Sequence, residues 1–144
     1  MSSNQKMILI VEDEPDTAEM FAEMMRLIGY RVVKTYYSAS AMGILSQAKP
    51  DVVVLDLMMP DVSGMEVLKF VRREPELDHV PVVVVSARSM PADIREALDA
   101  GATFYLTKPV AYADLRAAVE KAIEGDTLDS GAGNPGFGKE DKFD

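Results

Sequence analysis

Four places in the chain end apolar runs with side chains capable of chemistry. Glu12, Asp13 and Glu14 close one run, Asp56 a second, and Ser86 a third, while Thr107 and Lys108 close a fourth just before Pro109. Carboxylates brought together repel and raise one another's pKa unless a cation sits among them. Mg2+ is the hard, oxygen-seeking candidate, because it needs few protein ligands and keeps waters for the rest. A lysine beside such a cluster pairs with one acid, or with an anion which that acid acquires. A hydroxyl donates to the same anion. Carboxylate, cation, lysine and hydroxyl together form a clamp for a phosphoryl group, with Asp56 as nucleophile and the others on the equatorial oxygens.

These residues meet only if the elements carrying them are parallel strands of one sheet. "KMILIVED", "YRVVKTY", "VVVLD", "PVVVVSA" and "TFYLTKP" read as five strands. The third and fourth are the two most apolar, the pattern of strands covered on both faces. Five helical segments alternate with them. "PDTAEMFAEMMRLIG" has Pro15 early and Gly29 last, with Ala18, Phe21, Ala22, Met25 and Ile28 at helical spacing. "SASAMGILSQAK" has Ser38 or Ser40 as its cap. "SGMEVLKFVRR" turns Met65, Leu68 and Val71 or Phe70 inward, and "MPADIREALDAG" turns Ile94, Ala97 and Leu98. "YADLRAAVEKAIEG" does so with Leu115, Val119, Ala122 and Ile123. Alternation of this kind implies right-handed crossovers and a doubly wound α/β domain. Ligands of such folds bind beyond the carboxyl ends of the strands. Asp56, an acid that would be costly within a buried strand, is therefore expected at the rim of the core, facing the site.

Composition narrows the function classes. The chain of 144 residues has no cysteine, which excludes a disulfide framework, a thiolate metal site and a cysteine nucleophile. A formal charge of −9 argues against unaided binding to nucleic acid. No apolar run approaches membrane-spanning length, so membrane insertion is not expected. The boundaries expected are a folded domain over 1–125 and a flexible, acidic, Gly-rich tail or linker over 126–144. Gly131, Gly133, Gly136, Gly138 and Lys139 mimic a phosphate-cradling loop, but neither a strand nor a helix flanks them.

"ILIVEDEPD", "VVVLDLMMPDVSGMEVL", "VPVVVVSAR" and "AGATFYLTKPV" together resemble the receiver domain of bacterial two-component response regulators, from Met7 to about Glu124. The resemblance implies a flavodoxin-like five-stranded parallel sheet in the order 2-1-3-4-5. It implies that Asp56 accepts a phosphoryl group from a histidine kinase or phosphotransfer protein. Asp13 and Asp56 would bind Mg2+ directly, Met58 through its backbone carbonyl and Glu12 through water. Ser86 and Lys108 would hold the phosphoryl oxygens. Tyr105 matches the switch aromatic, and Pro109 the residue whose preceding peptide bond is typically cis in the family.

A module of this kind signals by altered binding to an output protein in the cytoplasm. It works as a monomer or phosphorylation-dependent dimer and catalyses only its own phosphorylation and dephosphorylation. A receiver cut from a larger regulator or hybrid kinase is the alternative. An aspartyl-nucleophile phosphohydrolase is remote, since that class carries a DxD motif on its first strand. Met20, Met24 and Leu27 form a second apolar stripe on the first helix, either plain surface or a docking patch for the phosphodonor. His79 reads as a surface-loop residue. Thr103 and Phe104 stand where many DNA-binding relatives carry an acidic pair, and Phe104 is expected exposed on the output face.

Overall fold

A computed structural model of the chain describes residues 5–125; the tail expected over 126–144 lies outside the described residues. The elements run β1 (Met7–Val11), α1 (Pro15–Ile28), β2 (Arg31–Thr35), α2 (Ser38–Ala48) and β3 (Val52–Asp56), then α3 (Gly64–Arg73), β4 (Val82–Ser86), α4 (Pro91–Asp99), β5 (Phe104–Thr107) and α5 (Tyr112–Glu124). All neighbouring strands pair in parallel, in the order β2-β1-β3-β4-β5. Each of β1, β3 and β4 is buried along its whole length, as their unbroken Val, Ile and Leu runs require.

Alternate residues along each strand feed two separate cores. Leu9, Val11, Val53, Leu55 and Val84 pack with Leu45 of α2, Val67, Leu68 and Val71 of α3 and Ala97 of α4. Ile8, Ile10, Val54, Val83 and Val85 pack on the other face with Phe21 and Met25 of α1 and Leu115 and Val119 of α5. Each such side chain, fully buried, stabilises the fold by roughly 1.5–3 kcal/mol. Gly29 ends α1 with φ +114°, a left-handed conformation that costs glycine little, and its N–H closes onto the Arg26 carbonyl.

Three details depart from the expected pattern. Ser38 and Ser40 do not cap α2: Tyr37 holds that position without a side-chain cap, and Ser38 is already helical. On α3, Val67 is buried beside Leu68 and Val71, while Met65 and Phe70 are only half-buried. Phe104, expected on the surface, is 1% exposed, because β5 alternates too: Phe104 and Leu106 face α1 and α5, and Tyr105 faces the opposite core. Neighbouring Thr103 has a structural job, its hydroxyl accepting the Val82 N–H at 3.0 Å where β4 begins. His79 is exposed in its loop, and the α1 stripe leaves Met20 and Leu27 open, with Met24 half-buried.

Candidate phosphoacceptor site

The parallel sheet delivers the polar strand ends to one edge. Glu12 and Asp13 follow β1 directly, Asp56 is the last residue of β3, Ser86 the last of β4, and Lys108 comes just after β5. Glu12, Asp13 and Asp56 each offer a carboxylate oxygen, all within 4.8 Å of one another. Lys108 Nζ donates to Glu12 Oε1 at 2.8 Å and to Asp56 Oδ2 at 3.1 Å. The backbone N–H of Met58 donates to Asp56 Oδ1 at 3.1 Å, so a bond fixes each oxygen of this carboxylate. Asp56 is 3% exposed and Glu12 wholly buried, making the acids the floor of the site.

Three carboxylates meet one lysine, which bonds only Glu12 and Asp56, leaving an excess of negative charge. Burial, and then the Asp56 charge, push the Glu12 carboxyl above its ordinary value, although its hydrogen bond from Lys108 pulls the other way. Burial pulls Lys108 down, but the bond to Glu12 and the charge of Asp56 outweigh it and leave the ammonium raised. A compact all-oxygen donor set that holds surplus charge suits a hard divalent cation.

The Glu12 shift has a testable sign. A carboxyl raised in the folded state keeps its proton there longer than in the unfolded chain. Its contribution to stability is thus full below the ordinary value of 4.5 and is lost as pH rises through the folded pKa. Glu12→Gln should therefore be more stable than the parent at neutral pH without metal, and the gap should close in acid. Denaturant unfolding across that range checks this; a gap that widened in acid would be the wrong sign.

Ser86 and Tyr105 belong to a second, linked network. The buried Ser86 Oγ accepts the Arg88 N–H at 3.1 Å, and the Tyr105 hydroxyl donates to the Arg88 carbonyl at 2.9 Å. Tyr105 is thus fully inward, and burial raises its pKa. The Lys108–Pro109 peptide bond is cis. The Met58 side chain is exposed, and only its backbone N–H is bonded to Asp56.

Sequence reasoning missed two supports of the β3–α3 loop. Gly64 lies so close beneath the end of β3 that a Cβ would stand 2.3 Å from the Asp56 carbonyl oxygen and 2.6 Å from Leu57 Cα. Only glycine fits, and its N–H closes the loop onto the Leu57 carbonyl at 2.9 Å. Asp61 binds the amides of Ser38 and Ala39 at the start of α2. The glycine stood in plain view in "DVSG", but nothing local revealed either contact.

A parallel five-stranded sheet in this order, with acids beyond β1 and β3 and a lysine beyond β5, defines a receiver-type domain. The family model of the response regulator receiver domain matches residues 8–120, and the chain belongs to that family. The polar-differentiation response regulator DivK of Brucella anthropi is 31% identical over 105 residues, 73% of this chain and 85% of that protein. The receiver domain of a signal transduction histidine kinase from Syntrophus aciditrophicus is 30% identical. It superposes with a TM-score of 0.78 over 83% of this chain and 91% of that one. The receiver domain of a sensor histidine kinase from Pseudomonas aeruginosa, 27% identical with a TM-score of 0.77, covers 83% of this chain and 98% of its own. That crystal structure has a magnesium ion coordinated in the active-site cleft.

Proposed function

We propose that the chain is a phosphorylation-controlled switch in which Asp56 accepts a phosphoryl group from a histidine kinase or phosphotransfer protein. The observation that carries this is the meeting of three carboxylates and Lys108 at one edge of the sheet. An Asp56 oxygen attacks phosphorus; the new P–O bond forms as the P–N bond to the donor imidazole breaks, and the bonding pair stays on that nitrogen. Asp13 and Asp56 would hold Mg2+ directly, Glu12 through water and Met58 through its backbone carbonyl. The bound cation supplies charge neutralisation for the transferring oxygens.

Lys108 spends two of its three donors on Glu12 and Asp56, which leaves one for a phosphoryl oxygen. Ser86 already accepts from Arg88, so its own proton can go to the phosphoryl group without breaking that bond. Such a donation would bias the Arg88 loop, and with it the Tyr105 hydroxyl, between two arrangements. That coupling carries the signal to an output protein. The exposed Met20 and Leu27 of α1 are the surface proposed for the phosphodonor. The setting proposed is the cytoplasm, with the chain a monomer or phosphorylation-dependent dimer acting on a protein rather than on nucleic acid. No helix among the described residues is long and apolar enough to cross a membrane. The chemistry proposed is limited to the protein's own phosphorylation and dephosphorylation.

A small acyl phosphate should add one phosphoryl group to the protein when Mg2+ is present; equal uptake with the metal chelated would overturn the reading. Mg2+ should also raise the melting temperature, since it binds the folded state alone. At a hundredfold excess over Kd, linkage gives about 2.7 kcal/mol. Asp13→Ala should lose most of that increment in a calorimetric scan, and an undiminished increment would place the ion elsewhere.

A further inference from the structure

The start of α2 lacks a local cap. A helix leaves its first N–H groups without intrahelical partners, and a Ser, Thr, Asp or Asn at the cap position usually supplies one. Here that position is Tyr37, whose side chain accepts nothing. The acceptor comes instead from the loop that follows the phosphoacceptor strand. Asp61 Oδ1 takes the Ser38 N–H at 3.1 Å and Oδ2 takes the Ala39 N–H at 3.0 Å. Ser38 then returns a bond, its Oγ donating to the Val62 carbonyl at 2.6 Å. Amide donation from Ala39 and Ser38 holds the Asp61 carboxyl below its ordinary value.

The loop from Leu57 to Ser63 is therefore held in three places. Met58 N–H ties its start to the Asp56 carboxylate, and Gly64 N–H ties its end to the Leu57 carbonyl. Asp61 and Val62 tie its middle to α2, and the tie to α2 comes only three residues after Met58, whose carbonyl the proposed metal site uses. We infer that Asp61 is a positioning residue of the phosphoacceptor site, holding the loop of Met58 in place by borrowing the uncapped amides of α2. The inference rests on the phosphoacceptor reading for its functional consequence, though not for its geometry. Residues that orient a metal's ligands typically change affinity by about 10–100-fold when lost.

Three proteins separate positioning from plain helix capping: the parent, Asp61→Ala, and the double variant Tyr37→Asp with Asp61→Ala. Tyr37 is exposed and its backbone is extended, so an aspartate there can cap α2 locally without touching the loop. Two quantities are read by NMR, the Mg2+ affinity and the hydrogen exchange of the Met58 and Gly64 amides. Asp61→Ala should lower Mg2+ affinity about tenfold and speed both amides severalfold. In the double variant the melting temperature should recover while the affinity stays low and the amides stay fast. Recovery of affinity and protection along with stability would overturn the inference, leaving Asp61 as a helix cap alone. If the parent binds no Mg2+, the phosphoacceptor reading fails, and the exchange of the two amides still decides whether Asp61 holds the loop.

Discussion

Asp56→Asn should fold as stably as the parent or more so, and should take up no phosphoryl group from an acyl phosphate. The substitution keeps the shape of the side chain, and an amide oxygen can still accept the Met58 N–H, but the carboxylate proposed as nucleophile is gone. One of three clustered negative charges also disappears, while Lys108 keeps Glu12 as a partner at 2.8 Å. Repulsion within the cluster falls, so the metal-free melting temperature holds or rises. The Mg2+ increment shrinks at the same time, because a ligand charge has been removed. Intact mass after acyl phosphate treatment reads the first effect and calorimetry the others. A full adduct on Asp56→Asn would remove Asp56 from the centre of the account.

Gly64→Ala should be among the most damaging single-methyl additions in the described domain. The added carbon would meet the Asp56 carbonyl oxygen at 2.3 Å and Leu57 Cα at 2.6 Å, both backbone atoms that no side-chain rotation can clear. Either α3 moves off the sheet or the end of β3 is displaced. Overpacking of this kind costs up to about 3 kcal/mol, or a fall of roughly 10 °C in melting temperature for a domain of this size. Relief by shifting β3 moves the Asp56 backbone itself, so phosphoryl uptake should slow in whatever fraction remains folded. An unchanged melting temperature would mean that the loop approaches the strand less closely than described.

The strands were legible because β1 is apolar throughout and β3 and β4 are apolar up to their last residues, Asp56 and Ser86, and covering both faces of a sheet demands that pattern. Alternation with helices makes the strands parallel, which puts their carboxyl ends on one edge, so the sequence alone gathers Glu12, Asp13, Asp56 and Lys108 there. The α2 cap was not legible. Ser38 and Ser40 carry the usual local signal, yet the acceptor that serves the helix is Asp61, 23 residues away, and no periodicity reports such a contact. Phe104 misled for a related reason. Standing where many DNA-binding relatives carry an acidic pair, it was expected exposed on the output face, but the alternation of β5 turns it into the core that α5 covers. Ser86 was legible as a strand-end hydroxyl, whereas its tie to Tyr105 through Arg88 depends on how the β4–α4 loop folds back.

Peptide mapping of the parent after brief treatment with an acyl phosphate and Mg2+ decides whether Asp56 is the acceptor. The expected result is a single phosphoryl group, carried by the peptide that contains Asp56, absent when Mg2+ is chelated and absent from Asp56→Asn. A phosphoryl group on another residue, or one on Asp56 acquired equally well without the metal, would contradict it.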